Sequence, residues 1–203
     1  MKRIQKESIY EFEINKSQFI CFLNRVTTEE EVRDYLKQIR KLHPKASHHC
    51  YAYIISDSLQ RSNDDGEPSG TAGIPMLEVL KKNEMELIIA VVVRYFGGIL
   101  LGAGGLVRAY SKAVSEALQH TTLFQVQNSN RYQYSFPYEF TNKVEFLLKN
   151  ELIENKQYDE LVTYQYLSVD ETLTPAFSEL TKGQYLPTLI ESIQIEIPIK
   201  KEK

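Results

Sequence analysis

Five of the nine glycines in this 203-residue chain fall between Gly97 and Gly105, with Arg94 before them and Arg108 after. Upstream, the loop NDDGEPSG gathers Asp64, Asp65 and Glu67 into four residues, and Ser69 follows. His48 and Cys50 lie two apart in SHHCY. Each group suggests a chemistry. Guanidiniums beside glycine-rich backbone can hold a phosphate or carboxylate. Clustered carboxylates can coordinate Mg²⁺ or move protons. A cysteine beside a histidine can act as a nucleophile.

The glycine cluster joins an apolar run to an amphipathic one, an order in which backbone N–H groups at a helix start can receive an anion. The candidate anion or nucleic-acid contacts are Arg94, Gly97, Gly98, Gly102, Gly104, Gly105 and Arg108. Gly97 and Gly102 have the separation of a P-loop, but Ala103 and Gly104 stand where it needs Lys and Ser or Thr. The dinucleotide pattern G-x-G-x-x-G fails at Val107. Neither nucleotide motif is present. The alternative is conformational, since glycines allow positive φ and close backbone approach, and both readings stand.

The remaining groups are weaker as chemistry. Asp, Gly, Glu, Pro and Ser are turn formers, and the acidic loop lacks EF-hand spacing, so pairing with Arg94 or Arg108 is expected before metal binding. On a strand His48 and Cys50 face one way and His49 the other, and a zinc site would need two more ligands from Cys21, His43 and His120. A buried strand cysteine is the expectation for Cys50. Ser69 lacks the preceding glycine of a nucleophile elbow. No metal and no cofactor are expected.

Positioning these residues requires particular elements. SIYEFEINKSQFICFLNRV reads as two strands joined at NKS. Thr28, with Glu31 three residues on, caps a helix whose Val32, Leu36, Ile39 and Leu42 share a face, and Pro44 ends it. HHCYAYIIS reads as a strand, DSLQRSNDDGEPSGTAG as a loop, and TAGIPMLEVLKKN as a helix with Pro75 in its first turn. The continuously apolar MELIIAVVVRYF predicts a strand covered on both faces. Leu106, Tyr110, Ala113, Val114, Ala117 and Leu118 then mark an amphipathic helix.

Beyond a linker at residues 127–130 the pattern restarts as strand, helix, strand, strand, helix, strand, the ferredoxin-like order. Tyr132, Tyr134, Tyr164 and Tyr166 could stack on RNA bases, but the matching signature is missing and half-buried strand tyrosines are expected. The fold class is thus α+β in two domains, residues 1–127 and 131–203.

Hydrophobic residues make up 42% of the chain and charged residues 25%, ordinary for a globular protein. The net charge of −3 predicts no strongly nucleic-acid- or membrane-binding surface overall. It is uneven: residues 1–127 hold 16 Lys and Arg against 15 Asp and Glu, and residues 128–203 hold 8 against 12. Affinity for polyanions therefore belongs in the first part. Two cysteines make no disulfide framework, and LIIAVVV is too short to span a bilayer. A soluble, cytoplasmic protein without a membrane partner is expected.

DDGEPSGTAGIPMLEVL and VVVRYFGGILLGAGGLVRAYSKAV, with ASHHCYAY upstream, resemble the YigZ/IMPACT family across residues 46–114. The second half, with AFSELTKGQ, resembles the small domain that bacterial members append. The resemblance implies a first domain like domain IV of elongation factor G and a second like its domain V. It also implies a link to translation, since the eukaryotic relative is implicated in translational control. His48, Asp64, Asp65, Glu67, Arg94 and Arg108 match the family pattern. Ile74, Leu100 and Ala103 depart from it, standing where the family often has Lys or Arg, Lys, and Thr.

The leading expectation is a non-enzymatic, translation-linked binding protein. Its first domain would meet RNA, the ribosome or a translation-control protein along residues 61–73 and 94–108. The rival is a hydrolase or phosphoryl-transfer enzyme using the acidic loop with Arg94, Arg108 and His48.

Overall fold

The computed structural model describes residues 1–199. It divides into two compact units, one formed by residues up to Val126 together with residues 196–199, the other by Gln127–Ile195. Among the described residues no helix is long and apolar enough to cross a membrane.

The first unit begins with β1 (Lys2–Arg3), then the hairpin of β2 (Ser8–Ile14) and β3 (Ser17–Arg25). Ile14 pairs with Ser17, leaving Asn15 and Lys16 as a two-residue turn, both at positive φ, the conformation that matches strand twist. Helix α1 (Glu29–Leu42) follows, with the Thr28 side chain accepting the Glu31 N–H. Glu31 returns its bond to the Thr27 N–H, one residue earlier than a capping box places it. Leu42 is exposed, and Tyr35 fills the buried face beside Val32 and Ile39.

Strands β4 (His48–Ser56) and β5 (Leu59–Asn63) form a second hairpin, then come α2 (Gly73–Lys82), β6 (Ile88–Tyr95) and α3 (Gly102–Gln119). The sheet runs β2-β3-β6-β4-β5. Central β6 is buried from Ile88 to Arg94, as its apolar run predicts. Its side chains alternate: Ile88, Ala90 and Val92 pack with α2 and α3, whereas Ile89, Val91 and Val93 pack with α1. Residues 59–63 are a strand where a loop was expected. LQRSN carries no apolar alternation because β5 is an edge, held by backbone pairing to β4 alone.

Strand β7 (Phe124–Phe136) starts in the first unit, where Phe124 pairs with Arg3 and Gln125 with Lys2. Residues 127–130, expected as a linker, are part of this strand, which runs unbroken across the boundary between the units at Val126 and Gln127. In the second unit a 3-10 turn (Tyr138–Phe140), α4 (Thr141–Leu147), β8 (Leu152–Tyr158), β9 (Val162–Ser168), α5 (Leu173–Leu180) and β10 (Thr188–Pro198) follow. Strand β7 pairs with β9 and β10, and β9 with β8, the ferredoxin-like arrangement. Tyr134, Tyr164 and Tyr166 lie in its core with Phe136 and Phe177, more deeply buried than a half-buried sheet surface requires.

Candidate functional site

Arg94 is the penultimate residue of β6, paired in register with Phe19 and His48 on its two neighbours. Even-numbered β6 side chains face α2 and α3, which carries its guanidinium inward, and the residue is only 4% exposed. One terminal nitrogen donates to Glu67 Oε1 at 2.7 Å and the other to Ser17 Oγ at 3.4 Å. The group also lies over the Phe19 and Phe96 rings. Its Nε has no partner among the described residues.

Glu67 is buried as deeply, and Tyr110 of α3 donates its hydroxyl to the same Oε1 at 2.7 Å. The Cys50 Sγ in turn lies 3.3 Å from the Tyr110 oxygen and 3.0 Å from the Asp64 carbonyl, both within reach of its single thiol proton. Burial pushes the Cys50 thiol up to about 12 and raises the Tyr110 phenol as well. A thiol that stays protonated at neutral pH is a poor nucleophile. Arg94, Glu67, Tyr110 and Cys50 thus form a network that ties β4, β6, the acidic loop and α3 together.

The acidic loop is fully engaged. Asp64 accepts the N–H groups of Gly70, Ala72 and Gly73 at 2.8–3.0 Å, capping α2 from nine residues before its start. Burial raises its pKa, but the three N–H bonds outweigh that and hold the carboxyl below its usual range. Asp65 pairs with Arg40 at 2.5 Å and accepts the His49 N–H at 2.7 Å. His48 bonds the Asp65 carbonyl through Nδ1 at 2.9 Å and places Nε2 3.8 Å from Glu67. Among the described residues no three His, Cys, Asp or Glu are grouped to hold a metal ion.

The glycines have separate jobs. A Cβ on Gly97 would fall 2.0 Å from the Lys16 backbone, so only glycine lets the chain pass the β2–β3 turn. Gly98 and Gly102 adopt positive φ in open space. Gly104 and Gly105 lie in the first turn of α3, which has no side-chain cap.

Between the acidic loop and this glycine segment lies a cleft of about 370 Å³. His48, Glu67 and Arg94 line it together with Gly66 and Gly102, and its apolar wall is Pro68, Phe96, Leu100, Leu101, Ala103 and Leu106. The structure gives the two arginines different surroundings. Arg94 lines the cleft from within its ion pair, whereas Arg108 is exposed on α3, is not part of the lining, and has no ion-pair partner among the described residues. Ser69 is exposed and lies outside the lining. Sequence reasoning missed the Tyr110 hydroxyl, since helical spacing marks that position only as apolar. It also missed the wall residues, whose side by side placement depends on where the glycine segment folds.

The fold and site thus define an α+β protein of two units, with a buried ion pair beneath a largely apolar cleft in the first. The Impact N-terminal domain model matches residues 15–118, a span that includes every residue lining the cleft. The chain is 46% identical over 189 residues to the IMPACT family member YvyE of Bacillus subtilis, covering 89% of this chain and 87% of that protein. It is 43% identical over 140 residues to the IMPACT family member YigZ of Escherichia coli, covering 67% and 69%. A crystal structure described as a hypothetical protein matches 94% of this chain and 97% of its own, at a TM-score of 0.59 and 33% identity. The chain belongs to the IMPACT family.

Proposed function

We propose that this chain is a cytoplasmic, non-enzymatic binding protein linked to translation, which takes its partner at the cleft of the first unit. One observation carries the reading. The carboxylates of the cleft and of its adjoining loop are already engaged inside the protein, while its apolar wall faces solvent. Glu67 serves Arg94 and Tyr110, Asp64 serves the start of α2, and Asp65 serves Arg40 and His49. Of the groups a hydrolase could use as base or nucleophile, the carboxylates and the Cys50 thiol are taken up in this way, which leaves only the His48 Nε2 among the lining residues. Leu100, by contrast, is 85% exposed, with Phe96 and Ile99 also in solvent. Apolar groups clustered on a surface mark a docking site. The link to translation rests on the family, whose eukaryotic relative is implicated in translational control.

Co-sedimentation of the purified protein with ribosomes, at low and at physiological salt, tests the reading. Wild type should associate in a salt-sensitive way, and Arg108→Ala should weaken association several-fold, as losing one rim charge does. Sedimentation of neither protein at either salt would remove the ribosome as the partner.

A further inference from the structure

Resting on that reading, we infer that the cleft receives apolar side chains carried on an acidic protein segment, and not the phosphate backbone of an RNA. Its size is the first reason. A cavity of about 150 Å³ holds one benzene-sized group, so about 370 Å³ accommodates two side chains of that order. The lining is the second. Its only cation is Arg94, whose terminal nitrogens are bonded to Glu67 and Ser17 and whose Nε is buried. The apolar wall offers a phosphate no accessible Lys or Arg side chain, the usual contact to a nucleic-acid backbone.

The charge around the cleft is the third reason, and it selects the partner. From Arg94 to Ser115 the chain carries Arg94, Arg108 and Lys112 and no carboxylate. Exposed Lys16 lies in the turn that abuts Gly97. Exposed Lys45 stands two residues before Ser47, whose hydroxyl accepts the Phe96 N–H. Lys16, Lys45 and Arg108 have no ion-pair partner among the described residues. The three carboxylates of the nearby loop are consumed by internal bonds. On β2, Phe12 packs toward α3, so alternation directs Glu13 to the opposite face. The cleft is therefore an apolar slot with a cationic border. Its complement is an apolar anchor flanked by Asp or Glu, with anchors giving affinity and the rim giving orientation.

The test places the photo-crosslinker p-benzoylphenylalanine at position 100 of the full chain, where the side chain is exposed, and irradiates cells expressing it. The cross-linked species are digested and sequenced by mass spectrometry. The expected product is a protein peptide with an apolar residue next to at least one Asp or Glu. Its yield should fall about tenfold or more when Lys16→Glu and Arg108→Glu are added, with the unfolding temperature unchanged. A nuclease-sensitive adduct to RNA overturns the inference. So does a peptide without acidic neighbours, a yield indifferent to the charge reversals, or no adduct at all. Ribosome co-sedimentation of the same crosslinker-bearing protein separates the two failures: association without the expected adduct refutes the acidic segment alone, and absence of association removes the ribosome as the partner as well.

Discussion

Arg94 carries the charge of a ligand contact and the surroundings of a core residue. With Glu67 beside it, the two charges compensate one another at a site where each is less than a tenth exposed. Removing one partner leaves the other as an uncompensated buried charge, which costs about 3–5 kcal/mol. Arg94→Ala should therefore lose roughly that much in urea unfolding, because Glu67 then keeps only the Tyr110 hydroxyl and the more distant His48. An Arg94→Ala protein as stable as wild type would contradict a structural role. Arg108, exposed and unpaired, should change stability by no more than about 0.5 kcal/mol when made Ala. A binding loss in an Arg94 variant is thus uninterpretable unless its fold is measured alongside.

Helix starts show what local sequence can reveal and what it cannot. The cap of α1 is written in adjacent residues: Thr28 holds the Glu31 N–H, and spacing alone identifies it. That of α2 is not, because Ala72 offers no side chain and Asp64 reaches in across an intervening turn. Truncating Thr28→Ala should cost about 1 kcal/mol. Asp64→Ala should cost more, on the order of 2 kcal/mol or above, since an ionised acceptor of three N–H groups is lost. Thermal unfolding of both variants checks the order, and an Asp64→Ala cost below that of Thr28→Ala would refute it. The same distinction runs through the fold. Strand β6 and helix α3 were legible from apolar periodicity, since their own residues create the buried faces. Strand β5 was not, because an edge needs only backbone. In the site, residue types revealed Arg94 and the acidic loop, but partnership in three dimensions decided that Glu67 pairs inward and that Leu100 faces out.

At the scale of the whole molecule, the last strand contributes Glu196 to the first unit. Its carboxylate takes a two-pronged contact from Arg25, with further bonds from Arg3 and Gln5. The Arg25 bond leads in lowering the pKa from 4.5 to about 2, against the opposing effect of burial. A lowered folded-state pKa means that the unfolded chain takes up the proton first as pH falls. The stabilisation is then complete above about 4.5 and is lost between there and about 2. Glu196→Gln should be less stable than wild type at pH 7, with the gap closing across that window. A gap of constant size would refute the assignment.

The proposed docking role of the first unit turns on Leu100, a large apolar side chain almost wholly in solvent and part of the cleft wall. Leu100→Asp puts a charge where a partner's apolar group should sit, without disturbing the core. Ribosome co-sedimentation and the thermal unfolding midpoint should be taken on the same Leu100→Asp preparation, beside wild type. The expected result is an unchanged midpoint with association lost. A folded Leu100→Asp protein that sediments with ribosomes as wild type does would contradict the docking role of the cleft.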